Sequence, residues 1–173
     1  DAVNLGQLEE ATAYNRYFRA TGEGEAFAQG EEATAAGSDA MADGDYATAV
    51  GSGASAFEQG ASAFGSGAFA YGHDATAVGY GASAAGETAV ALRGGSESVA
   101  EGLLSTATGS AAMAVGDGSV ASGALSTASG EESTAVGFWA EATGDVATAL
   151  GAESLASGEQ AIAAGFRSEA SGL

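Results

Sequence analysis

His73 is the single histidine of the chain and stands beside Asp74. An imidazole next to a carboxylate is the beginning of a general-base pair or a metal site. The sequence does not complete either one, and His73 reads as a turn residue. The chain has no cysteine, which rules out a Cys-type zinc site and a disulfide scaffold. Carboxylates recur within two residues after a glycine: Glu31-Glu32, Asp39, Asp45, Asp74, Glu131-Glu132, Asp145, Glu153 and Glu159. They read as a solvated acidic surface, with cation binding as the competing reading. Their period does not fit the calcium-binding glycine-rich nonapeptide. Gly51-Ser-Gly53 and Gly65-Ser-Gly67 open no helix and are not phosphate loops. The expectation is a non-enzyme without catalytic residues, metal or cofactor. A polysaccharide-cleaving β-helix would need paired acids in a large-coiled groove.

Two further sets of residues could bind a partner. Phe27, Met41, Phe57, Phe69 and Tyr71 fall at outward positions, and Phe138-Trp139 falls at a turn. Together they are candidates for an exposed apolar binding patch. Thr34, Thr48, Thr76, Thr134 and Thr148 share one repeat position. As a flat array they would order water, as in an ice-binding solenoid; beside a symmetry axis they would be buried in an interface.

The elements that position these residues follow from a seven-residue repeat. From Gly24 to Gly172 the chain divides into 21 heptads of the form x-x-[Ala/Ser]-x-Ala-x-Gly, covering 24–93 and 96–172. The fifth position is always alanine, and glycine fills the seventh except at Glu58 and Arg93. A coiled coil needs bulky seam residues. Glycine inside a helix costs about 1 kcal/mol. A helical heptad is therefore excluded, and a solenoid of short parallel strands with glycine corners is expected. Positions three to six read as strand, and the glycine with the next two residues as turn. Corner glycines such as Gly51, Gly79, Gly116, Gly137 and Gly151 suit positive φ.

Side chains alternate across a strand, so positions three and five line a very thin interior. Positions four and six face out. Successive heptads differ outside, so the full repeat is fourteen residues with two strands per coil. One strand of each pair presents a column, Val50, Phe64, Val78, Leu92, Val136 and Leu150, accompanied by Thr48, Thr76 and Ile162. Such a stripe on a thin rod marks an interface, and a homotrimer is the expected closed arrangement. The Gly94-Gly95 insertion disturbs the phase. Met113 and Val115 then fall on the water-facing strand and Thr106 and Thr108 on the apolar one. A register shift and a local apolar patch both account for this. The thin interior implies that Ala77→Leu disrupts the fold, whereas Asp74→Ala at a turn is nearly silent.

Residues 1–23 lie outside the repeat. Leu5, Leu8 and Ala11 mark a short helix, and Arg16-Tyr-Phe-Arg19 reads as extended. The net charge of −19, from 23 acids and four arginines, argues against nucleic acid and anionic lipid as partners. No apolar run spans a membrane and no signal peptide is evident.

The heptads, as in Asp74-Ala-Thr-Ala-Val-Gly79, resemble the YadA-like head of trimeric autotransporter adhesins. Asp1-Ala-Val-Asn-Leu-Gly-Gln-Leu8 is similar to the neck motif of that family, and Tyr17-Phe18-Arg-Ala-Thr-Gly22 to the link from stalk to head. The resemblance implies a neck-like segment over 1–23 and a head over 24–172. It implies an all-β, left-handed parallel β-roll assembled as a homotrimer, with a short N-terminal α-helix. It implies further a bacterial surface location, a membrane anchor outside this fragment, and adhesion to host matrix or cell-surface protein. The sequence departs from the family in its threonines at position four and in its acidity. The alternative is a monomeric ice-binding or surface-binding β-solenoid.

Overall fold

The protein is represented by a computed structural model that describes residues 24–92 and 97–172. The neck, helix and link expected over 1–23, and the insertion at Gly94-Gly95, lie outside the described residues. The described residues form a parallel β-solenoid of 21 short strands, from β1 (Phe27–Ala28) to β21 (Glu169–Ala170). Odd-numbered strands have two residues and make an eleven-stranded sheet, termed the narrow sheet. Even-numbered strands have three and make a ten-stranded wide sheet. Each strand pairs in parallel with the strand one coil on, fourteen residues away, as in Thr48↔Ser62 and Phe69↔Ser83. Across the insertion the step is sixteen, in Val90↔Thr106 and Ser83↔Val99. The strand phase thus continues unchanged on either side of the insertion. Thr106 and Thr108 belong to the wide sheet and Met113 to the narrow one. The local apolar patch, not a register shift, is the outcome.

The interior is alanine and serine alone. Ala49, Ala63, Ala77 and Ala91 are fully buried in register on the wide sheet, as are Ala42, Ala56, Ala70 and Ala84 on the narrow one. Methyl groups bury little area. Cohesion therefore leans on backbone hydrogen bonds, and these run through the corners as well as the strands. At one corner the N–H of Tyr46 donates to Glu31 O (2.7 Å) and that of Val146 to Glu131 O (2.7 Å). The strands are shorter than positions three to six because the third residue turns back. The N–H of Ala47 donates to Gly44 O (3.1 Å) and that of Ala54 to Gly51 O (3.2 Å), three residues earlier. That donor closes the corner and is lost to the ladder.

The corners also revise the expectation for glycine. Gly51, Gly79, Gly137 and Gly151 have φ between +118° and +135°, but Gly116 has no positive φ. Gly116 is constrained by proximity: a Cβ there would sit on the carbonyl oxygen of Gly130 in the next coil. Left-handed backbone also occurs at the second turn residue, whatever its side chain. Tyr46, Asp74, Leu104, Trp139 and Val146 all have φ between +53° and +60°. A β-branched residue there is an outlier, and the left-handed region costs L-residues roughly 1–2 kcal/mol. Val146 is 48% exposed, so removing it forfeits little burial. Val146→Gly is expected to stabilise the chain by about 1 kcal/mol and raise Tm by roughly 2–4 °C, measured by thermal unfolding. An unchanged or lower Tm would contradict the strain at this corner.

Candidate binding surface

His73 and Asp74 sit at an exposed corner with Nδ1 2.9 Å from Asp74 Oδ2. The other ring nitrogen lies 3.1 Å from Gln59 Oε1, one coil back. Both partners belong to the corner itself, and the pair faces water rather than a cleft. Several of the turn carboxylates have a structural use: Asp45 Oδ1 accepts from the N–H of Glu31 (2.8 Å) and Asp145 Oδ1 from that of Glu131 (3.0 Å). Asp117 does the same for Leu103 (2.9 Å). Among the described residues no group of three or more His, Cys, Asp or Glu side chains is placed to hold a metal ion.

The two outer faces of the solenoid differ. On the wide sheet, position six forms a register-aligned column, Val50↔Phe64↔Val78↔Leu92. These side chains are 37–41% exposed in the single chain. The column then passes through Thr108↔Ser122, whose hydroxyls hydrogen-bond at 3.0 Å, and resumes at Val136↔Leu150. Position four runs beside it, with Thr34, Thr48, Thr76, Thr106, Thr134 and Thr148 interrupted by Ser62, Val90 and Val120 and ending at Ile162. Thr48, Thr76 and Thr148 are half-buried, and Ile162 is 69% exposed. The threonines are therefore not one flat array.

The narrow sheet brings five of the seven candidate binding residues onto one face. Phe27, Met41 and Phe69 lie in one column with Ser55, which is buried between Met41 and Phe69. Phe57 and Tyr71 form the adjacent column, with ring centroids 4.9 Å apart and planes 4° from parallel. Phe69 stacks on Tyr71 at 5.8 Å and 9°. Strand order places Phe138 and Trp139 elsewhere: Trp139 leads into the strand of Glu141, five coils beyond Phe69. At about 4.8 Å per coil that is about 24 Å away. Trp139 instead borders a hollow of about 240 Å³ with Leu155, Glu141, Glu153 and Glu169. There Arg167 pairs with Glu153 at 2.6 Å and lies 4.8 Å from the Phe166 ring centroid.

Val99 and Met113 join the aromatic face and line a groove of about 760 Å³ with Phe69 and Tyr80. Sequence reasoning did not include Val99 or Tyr80 among the binding candidates and left Met113 unplaced. The signal lay in the fourteen-residue column, but its continuation depended on whether the insertion shifts the phase.

A protein-family model for the YadA head domain repeat (2 copies) matches residues 28–54, 42–68, 58–82, 70–92, 95–127, 128–154 and 156–173. No curated protein matches the chain.

Proposed function

We propose that this chain, which belongs to the YadA head family, is the adhesive head of a trimeric surface fibre. The family is that of trimeric autotransporter adhesin heads, which in general form homotrimers at the cell surface. Three copies of this chain would meet through their wide sheets, hiding Val50, Phe64, Val78, Leu92, Val136 and Leu150 around the axis. The narrow sheets would then face outward and present Phe27, Met41, Phe57, Phe69 and Tyr71 in three copies. Adhesion would be polyvalent, with weak sites adding through effective concentration. The partner would be host matrix or cell-surface material, and the fibre would be anchored in the outer membrane by segments beyond 1–173. Within the fragment, 1–23 would act as neck and link and 24–172 as head. The reading is of a structural, non-enzymatic module.

The observation that carries it is the aligned apolar column on a chain whose own interior is only alanine and serine. Such an interior offers no place to bury those side chains within one chain, so a second surface must cover them. Thr108 and Ser122 would form a polar layer in that interface, their hydroxyls already paired at 3.0 Å. Sedimentation at low micromolar concentration is expected to give a particle of three times 16.4 kDa. Val78→Asp places three carboxylates near one axis, where like charges repel, and is expected to shift the species to monomer. A wild-type chain that sediments as a stable monomer would refute the trimer.

A further inference from the structure

The hollow beside Trp139 gathers residues from three successive coils. Glu141, Leu155 and Glu169 stand in register on neighbouring strands of the narrow sheet. Trp139 and Glu153 belong to the turns that lead into the first two of those strands. All five line the same hollow of about 240 Å³. From Glu141 to Glu169 is two strand spacings, about 9.6 Å. Leu155 lies between them, half-buried, and Trp139 is 60% exposed. Charge here is uneven. Glu153 is neutralised by Arg167 at 2.6 Å. Among the described residues Glu141 and Glu169 have no hydrogen-bond or ion-pair partner. Arg167 also shows what this corner accepts. Its guanidinium meets the Glu153 carboxylate and lies 4.8 Å from the Phe166 ring centroid. Guanidinium, carboxylate and aromatic face thus already come together at one edge of the hollow.

We infer that the hollow receives an arginine side chain of a partner polypeptide. Tryptophan is the best aromatic partner for a cation. A guanidinium is planar and weakly hydrated, so it stacks on such a face better than an ammonium does. Its five donors are enough for Glu141 and Glu169 while its face lies on Trp139. The methylene stem then covers Leu155. An anionic group is excluded by the three carboxylates, and the net charge of −19 draws a basic partner to the rod. The acids are not grouped to hold a metal ion, so a cation that also uses the ring is the better match. The inference deepens the adhesin reading and rests on it only in needing the narrow sheet to face outward in the assembly. Three copies would then present three such sites, weak singly and additive on a basic surface.

Trp139 is the only tryptophan, so tryptophan fluorescence reports on this hollow alone. Acetyl-glycyl-arginyl-glycinamide titrated into the full chain is expected to give a saturable emission change, and the glutaminyl analogue none. The lysyl analogue is expected to bind about threefold or more weakly than the arginyl peptide. The double variant Glu141→Gln, Glu169→Gln keeps the shape of two outward side chains, so circular dichroism is expected to stay unchanged. It is expected to weaken arginyl binding by about tenfold or more. The site is overturned if the arginyl peptide gives no saturable change, if the glutaminyl peptide gives the same one, or if the double variant binds as tightly as the wild type. Equal binding of the lysyl peptide would overturn the stacking on Trp139. Sedimentation in parallel separates this site from the trimer. A monomer that still binds the arginyl peptide would refute the trimer and leave the site standing; a trimer that does not respond would do the reverse.

Discussion

Ala77→Leu is expected to lower the unfolding midpoint more than any outward-facing substitution of similar volume. Ala77 is fully buried and stands in register between Ala63 and Ala91, both also fully buried. No large side chain exists nearby to shift rotamer and make room, because the interior holds only alanine and serine. Overpacking a well-filled core costs typically 1–3 kcal/mol, and this coil has less freedom than an ordinary core to relax. The strands above and below are locked to it by the continuous backbone ladder, so strain spreads to neighbouring coils. A loss of about 3 kcal/mol would lower Tm by roughly 6–12 °C in a chain of this length. In a trimer the change is present three times. Thermal unfolding followed by circular dichroism measures it, with Asp74→Ala as comparison. That comparison is not silent, contrary to the expectation from sequence. Asp74 has φ +54°, where alanine is less tolerated than aspartate, so a loss of about 1 kcal/mol is expected. If Ala77→Leu costs no more than Asp74→Ala, the assignment of the interior is wrong.

Gly116→Ala is expected to be more damaging still, with Gly53→Ala as its control. A Cβ at Gly116 would clash with the carbonyl oxygen of Gly130, and the N of Glu131 would be 3.0 Å from it. Both obstacles are backbone, so no flexible side chain can yield. The two coils would have to separate locally, breaking ladder hydrogen bonds on either side. A loss on the order of 3–5 kcal/mol places it among the severe point mutations. Gly53 has positive φ, +66°, but a Cβ there meets nothing within 4 Å. Its replacement costs only the conformational preference, about 1 kcal/mol. Denaturant unfolding of the two variants separates close approach from backbone conformation. Equal losses would mean that the corners are looser than the coil-to-coil contact requires.

The two glycines also show where sequence reading stops. Gly53 is the second residue of its heptad and Gly116 the seventh, and the heptad assigns Gly116 to a corner without saying whether φ or close approach keeps it there. Likewise the second turn residue carries Glu, Trp, Val or Arg, so nothing in its identity announces the left-handed backbone at Trp139 or Val146. That conformation is imposed by the corner hydrogen bonds between coils, which are long-range in sequence.

The repeat alone was enough for the class of fold, the fourteen-residue coil, the thin alanine interior and the outward set of Val50, Phe64, Val78, Leu92, Val136 and Leu150. Those properties are local: strand alternation and small side chains at every third and fifth position leave one solution. The insertion at Gly94-Gly95 was different, because a corner can absorb two residues or a strand can slip by two, and the heptad is compatible with both. The pairing Val90↔Thr106 and Ser83↔Val99 decided it. That pairing set Val99 and Met113 beside Phe69, and strand order put Trp139 five coils away. Proximity across coils depends on register and on corner geometry, and neither is encoded in a residue's own position within its heptad.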